Sequence, residues 1–164
     1  MPLWKVGILT LSDKGSRGER EDLSGPALRE LLPSSGYEIV EYGIIPDERD
    51  EIVEKLVEWA DEKCLALILT TGGTGVSPRD VTPEATLSVV EREVPGMAEA
   101  MRRASSQKTP HAMISRAVVG IRRRTLIVNL PGSPRGAREN LEVLLPALPH
   151  ALEKIHGDPS DCAV

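Results

Sequence analysis

Stretches of near-continuous Val, Ile and Leu alternate along this chain with stretches whose apolar residues recur at helical spacing. That alternation narrows the fold to a mainly parallel sheet covered by helices on both faces. Strands buried on both sides carry such unbroken runs, whereas half-exposed strands alternate apolar with polar residues. The runs are Leu3–Ser12 (LWKVGILTLS), Glu38–Ile45 (EIVEYGII) and Leu65–Thr71 (LALILTT), each of strand rather than helix length. Ile114–Leu130 holds two short β-prone runs around Gly120 and Arg122-Arg123-Arg124, which predicts a strand, a turn and the last buried strand.

Helices are expected between these runs. Leu23, Ala27, Leu28, Leu31 and Leu32 mark one, with Pro26 in its first turn and Gly36 closing the region. Residues 46–64 form another, with Ile52, Val53, Leu56, Val57 and Ala60 on one face and Glu48, Asp50 and Glu51 at its positive dipole end. Thr82-Pro83 reads as N-cap and first position of the next helix. Pro95-Gly96 reads as its break, and Met97–Ser106 as a restart. After Gly136 a single last helix puts Leu141, Leu144, Leu145 and Leu148 in phase. The expected organisation is one domain over residues 1–157 and a flexible tail over residues 158–164, which has nothing to bury.

Composition excludes several functions. Phe is absent and aromatics make up 2%, so the core is aliphatic and stacking platforms for single-stranded nucleic acid are hard to build. A net charge of −5 gives no general attraction to nucleic acid or to an anionic membrane. With no leader pattern and no long apolar run, the expected compartment is the cytoplasm. Cys64 and Cys162 lie far apart without C-x-x-C spacing, which argues against a zinc or redox pair, and Cys64 is expected to pack. Arg102, Arg103, Lys108, Arg116 and Arg122–Arg124 form a local basic cluster, read either as a solvated face or hairpin tip, or as a rim for an anionic small molecule or an acidic subunit surface.

In open sheets of this kind ligands bind beyond the carboxyl ends of the strands. Four loops fall on that edge: Ser12–Asp22, Pro46–Asp50, Gly72–Thr82 and Pro131–Gly136. Within them TTGGTGVSPRDVTPE (Thr70–Glu84) matches neither a Walker A nor a dinucleotide fingerprint. Its glycines nevertheless permit positive φ and close approach of a phosphate to backbone N–H groups, or else only solve the geometry of a tight turn. Asp80 favours the first reading, because a carboxylate beside a phosphate cradle calls for a cation between them. Asp47 lies along the same edge, as a second carboxylate for Mg²⁺ or as a helix cap. His111, His150 and His156 are expected away from the edge loops, and no G-x-S-x-G elbow is present.

These motifs closely resemble the signature of the MogA/MoaB family of molybdenum-cofactor biosynthesis proteins. The resemblance continues through GILTLSDKGSRGEREDLSGP, IPDE, VPGMAEAMRR, AMISRAVVGIR and LIVNLPGSPRG, from about Val6 to His156. It implies a three-layer α/β/α fold with a mostly parallel sheet and one antiparallel strand. It also implies Mg²⁺-dependent adenylylation of molybdopterin by ATP, giving adenylyl-molybdopterin and pyrophosphate. A MoeA-type molybdate-insertion protein would be the partner, and the assembly a homo-oligomer, a trimer before a hexamer. Carried over residue by residue, Asp47 and Asp80 match the essential acidic, metal-holding positions. Gly72, Gly73, Thr74 and Gly75, after Thr71, match the ligand loop, and Ser12, Asp13, Gly132 and Ser133 match further lining positions. Ser133 is read as a donor to the ligand or as a helix cap, and Arg79 as a charge stabiliser or a surface residue. Some adenylyltransferases of the family carry an insertion after LPG-P, which this chain lacks. A molybdopterin carrier and an oligomeric scaffold are the rival readings.

Overall fold

Side chains on successive strand residues point to opposite faces, so a doubly covered sheet needs apolar residues at every position. The computed structural model, which describes residues 3–159, shows that arrangement. The strands are β1 (Trp4–Leu11), β2 (Tyr37–Ile45), β3 (Leu67–Thr71), β4 (Arg92–Glu93), β5 (Val119–Arg122) and β6 (Thr125–Leu130). The helices are α1 (Asp13–Ser16), α2 (Ser24–Leu31), α3 (Arg49–Val57), α4 (Thr82–Val89), α5 (Pro95–Ser106), α6 (Pro134–Leu144) and α7 (Leu148–Ile155). The sheet order is β2-β1-β3-β6-β5-β4. β2, β1, β3 and β6 are parallel neighbours, while β5 is antiparallel to both β6 and β4. One strand, β5, therefore runs against the rest, as expected.

Val6, Ile8, Leu67, Leu69, Leu126 and Val128 face one core, packed with Leu28 of α2, Met101 of α5, Leu141 of α6 and Leu152 of α7. The intervening residues Leu9, Leu11, Ile68 and Ile127 face a second core with Ile52 and Leu56 of α3 and Ala85 and Val89 of α4. The three layers follow directly from this two-residue period. Trp59 lies in a π-helical turn at Glu58–Glu62 that continues α3, and a Cβ on Gly7 would come within 2.6 Å of its ring.

Several expectations are corrected. The loop after β1 contains α1, and a two-residue strand β4 precedes α5. Pro95 opens α5 rather than breaking a longer helix, as its fixed φ allows at a first position. The single last helix is two, because Pro146 cannot continue α6 and Pro149 sits in the first turn of α7. Cys64 is exposed with φ 53°, a left-handed turn position after the π-turn, and Leu65 packs instead. Residues 160–164 of the expected tail, including Cys162, lie outside the described residues. Among the described residues no helix is long and apolar enough to cross a membrane.

One polar group ties the layers together near the ligand edge. Asn129 of β6 is fully buried and donates through Nδ2 to Thr70 Oγ1 (3.0 Å) and Thr86 Oγ1 (2.9 Å), linking β6 to β3 and α4. Its Oδ1 accepts from Val118 N–H (3.1 Å) at the entrance to β5. Asn129→Ala is expected to cost about 2–4 kcal/mol, since it strands buried hydroxyls and opens a cavity. Urea denaturation checks this through a lower midpoint at unchanged slope.

Candidate functional site

Three strand ends meet with almost no room for side chains. Gly72, just after β3, has φ 107°, and a Cβ on it would lie 2.3 Å from the Leu11 carbonyl at the end of β1. Gly132, after β6, lies over it, so that a Cβ there would be 3.3 Å from Gly72 Cα. The β3 and β6 ends are joined by Gly72 N–H to Leu130 O (3.1 Å) and by Thr71 Oγ1 donating to Pro131 O (2.7 Å). Gly73 has φ 69°, and the fully buried Thr82 hydroxyl fills the space its Cβ would need. Thr82 does not act as N-cap. Its hydroxyl donates to Gly72 O (2.9 Å) and its N–H to Gly73 O (3.1 Å), which locks the start of α4 against the turn.

The acidic residues sit on the loops this junction positions. Asp13 and Asp47 exchange hydrogen bonds: Asp47 N–H donates to Asp13 Oδ1 (3.0 Å), and Asp13 N–H donates to Asp47 Oδ2 (3.1 Å). Asp47 thus joins the β1 and β2 loops and does not cap α3, whose N-cap is Glu48. Arg79 grips Asp13 with Nε (3.0 Å) and Nη2 (2.9 Å) and reaches Glu48 Oε1 (2.7 Å). These bonds hold the Asp13 carboxyl below its usual range, Arg79 first and the Asp47 N–H next, and raise the Arg79 guanidinium. Asp47 moves the other way: burial chiefly, then repulsion from Asp13 and Asp80, raises its carboxyl above the ordinary value of 3.8. Asp80 Oδ2 accepts from Ser77 N–H (2.9 Å).

Two neighbouring clefts share a wall made of Gly73, Asp80, Gly132 and Ser133. The first, about 490 Å³, also takes Thr74 and Gly75. The second, about 650 Å³, also takes Ser12, Asp47, Thr71 and Gly72. Asp47 and Asp80 therefore face one space. Asp13 and Arg79 line neither cleft and act on the loops from outside. Ser133 lines both clefts while its Oγ accepts from Gly136 N–H (3.0 Å), capping α6. Ser12 caps α1 through Gly15 N–H (2.9 Å).

His111 is brought to the first cleft with Arg102, Ser105, Ser115 and Asn140, contrary to the expectation that it lies away from the edge. Because β5 is antiparallel, the segment leading into it, including the 3₁₀ turn Pro110–Ile114, arrives at the edge where β3 and β6 end. The predicted hairpin was the signal for this. The basic cluster is divided. Arg123 is exposed at the hairpin tip, Arg122 grips Asp61 (2.9 and 2.7 Å), and Arg102 donates to Ala117 O (2.8 Å) at the cleft wall.

Among the described residues no three His, Cys, Asp or Glu side chains group around one point. Asp22, on the second cleft, is spent: it accepts from Thr10 Oγ1, the Tyr42 hydroxyl and the N–H groups of Ser24 and Gly25. Glu21, Asp22, Asp47 and Asp80 line this cleft; with Asp22 spent, Asp47 and Asp80 beside the glycine turn could serve a Mg²⁺ ion that takes few protein ligands and completes its shell from phosphate and water.

The chain is similar to known proteins along most of its length. The family described as "probable molybdopterin binding domain" matches residues 7–150. The molybdopterin adenylyltransferase of Helicobacter pylori strain J99 is 44% identical over 155 residues, covering 93% of this chain and 88% of that protein. The molybdopterin adenylyltransferase of Escherichia coli K12 is 46% identical over 141 residues, covering 84% and 72%. The crystal structure of the molybdopterin biosynthesis enzyme MoaB from Thermus thermophilus superposes with TM-score 0.90 at 55% identity, covering 97% of this chain and 100% of that one. With the fold and the match along most of its length in agreement, this chain belongs to the molybdopterin-binding family of molybdenum-cofactor biosynthesis proteins.

Proposed function

We propose that this protein adenylylates molybdopterin. A terminal phosphate oxygen of molybdopterin attacks the α-phosphorus of ATP, the bond from that phosphorus to the β-phosphate oxygen breaks, and pyrophosphate leaves. The observation that carries this reading is the shared wall. Two clefts large enough for two substrates touch along Gly73, Asp80, Gly132 and Ser133, so their occupants meet beside Asp80. Relatives named molybdopterin adenylyltransferase at 44% and 46% identity support it.

The protein's part is positioning and charge. Gly72 and Gly73 keep backbone rather than side chain at the junction, and Ser133 lines both clefts. Holding two phosphates in line supplies roughly 7–11 kcal/mol of effective molarity. Asp47 and Asp80 would hold Mg²⁺, which when bound offsets charge on the reacting phosphate and the departing pyrophosphate. No covalent protein intermediate is required. The product would pass to a MoeA-type insertion protein, and the proposed assembly is a trimer.

Asp80→Asn is expected to keep the fold and molybdopterin binding while turnover falls about 10²–10⁴-fold, the loss of several kcal/mol of charge stabilisation. The assay is formation of adenylyl-molybdopterin and pyrophosphate from molybdopterin, ATP and Mg²⁺. Near-normal pyrophosphate release by this variant would refute the metal role of Asp80, whereas a parent that releases none would be a carrier. Asp47 yields a second prediction, with opposite signs for stability and activity. Its raised carboxyl disfavours the charged form in the fold, so its contribution is favourable at acid pH and is lost as pH rises through that raised value. At neutral pH Asp47→Asn should therefore unfold at the same temperature as the parent or higher, yet be inactive. At subsaturating Mg²⁺, activity of the parent, which needs ionised Asp47 to take up the cation, should decline at a less acidic pH than an ordinary carboxylate would give. Calorimetry and a pH–rate profile check the two arms.

A further inference from the structure

The loop carrying Asp80 has little to hold it. Val76, Ser77, Pro78 and Arg79 are all exposed. Its internal bonds, Asp80 N–H to Ser77 O (2.9 Å) and Ser77 N–H to Asp80 Oδ2 (2.9 Å), close a local turn without attaching it to the body. Arg79 ties the outer side to the β1 and β2 loops, leaving the side toward β5.

Arg116, just before β5, occupies that side. Its backbone N–H donates to Thr74 O (2.8 Å), its Nε to Gly75 O (2.7 Å) and its Nη2 to Asp80 O (2.7 Å), while Nη1 meets Glu84 in the first turn of α4. The guanidinium thus bridges the two ends of the Gly75–Asp80 segment and fastens both to α4. It lines neither large cleft, and its charge is taken up by carbonyls and by Glu84, whose carboxyl it holds below the usual range. This is work for a planar fork with donors in fixed directions; a lysine ammonium at the same place cannot reach both carbonyls with the same geometry. We propose that Arg116 is the positioning residue that sets Asp80 against Asp47 and the shared wall. Its catalytic consequence rests on the adenylylation reading; the loop-holding role does not.

Two variants separate the bonds. Arg116→Lys keeps a positive charge beside Glu84 and loses the two-carbonyl bridge, whereas Glu84→Gln keeps the bridge and loses the ion pair. Amide hydrogen exchange at Ser77 and Asp80 reads the loop directly. Protection is expected to fall in Arg116→Lys and to persist in Glu84→Gln, with both variants unfolding within about 2–6 °C of the parent. In the adenylylation assay, kcat of Arg116→Lys is expected to fall about 10²-fold with KM for each substrate changed less than about threefold, the signature of misplacement rather than lost binding. Glu84→Gln should stay within about threefold of the parent in kcat. Unchanged exchange in Arg116→Lys, or equal losses in both variants, overturns the proposal. If the parent forms no adenylyl-molybdopterin, the functional reading falls and the exchange comparison still decides what Arg116 does.

Discussion

No side chain fits between the end of β1 and the end of β3: a single methyl on Gly72 would press to 2.3 Å on a backbone carbonyl that has nowhere to go. The chain leaves β3 through left-handed geometry at Gly72 and Gly73, which glycine adopts without strain. Both freed carbonyls are received by Thr82, so the first turn of α4 is fixed against the glycine turn. Gly132 closing over Gly72 brings the β6 loop to the same point. The shared wall between the clefts is the consequence of backbones allowed to touch.

Charge is the second constraint. Asp13, Asp47 and Asp80 gather on one edge, and Arg79 neutralises only the first directly. Asp47 is left half-buried among like charges, an arrangement that opposes folding when the site holds no cation and favours taking one up. A fold tuned for stability alone would place an asparagine there; the cation and phosphates of the proposed reaction would account for the carboxylate.

The layers were legible in the sequence because period-two burial on both faces demands unbroken Val, Ile and Leu runs, and Leu67, Ile68 and Leu69 show it residue by residue. The glycine turn and its aspartates were legible because glycine and carboxylate chemistry is local. What escaped was set by tertiary contacts. Thr82 has the composition of an N-cap, yet its hydroxyl finds a better acceptor across the turn. Cys64 borders an apolar run, yet occupies a left-handed position that turns it outward. His111 reaches the first cleft only because β5 runs backwards, a fact of topology rather than of its neighbours.

The edge loops share a way of being held that also accounts for their shape. Apolar burial would anchor them most cheaply, but it would fill the clefts, and a chain without Phe has few large groups to lend. Short polar side chains bond to backbone instead: Ser12 to Gly15, Thr71 to Pro131, Ser24 to Gly132, Ser133 to Gly136 and Thr82 to Gly72. Each such bond contributes only about 1 kcal/mol. Together they fix backbone positions while occupying almost no volume, and they leave the space above the strand ends open. Arg116 extends the same device to the Gly72–Thr82 loop, bridging the carbonyls of Gly75 and Asp80. Because these anchors lie inside the protein, the wall is formed before any ligand arrives, which is the condition for electrostatic positioning to lower a barrier rather than be spent on reorganisation.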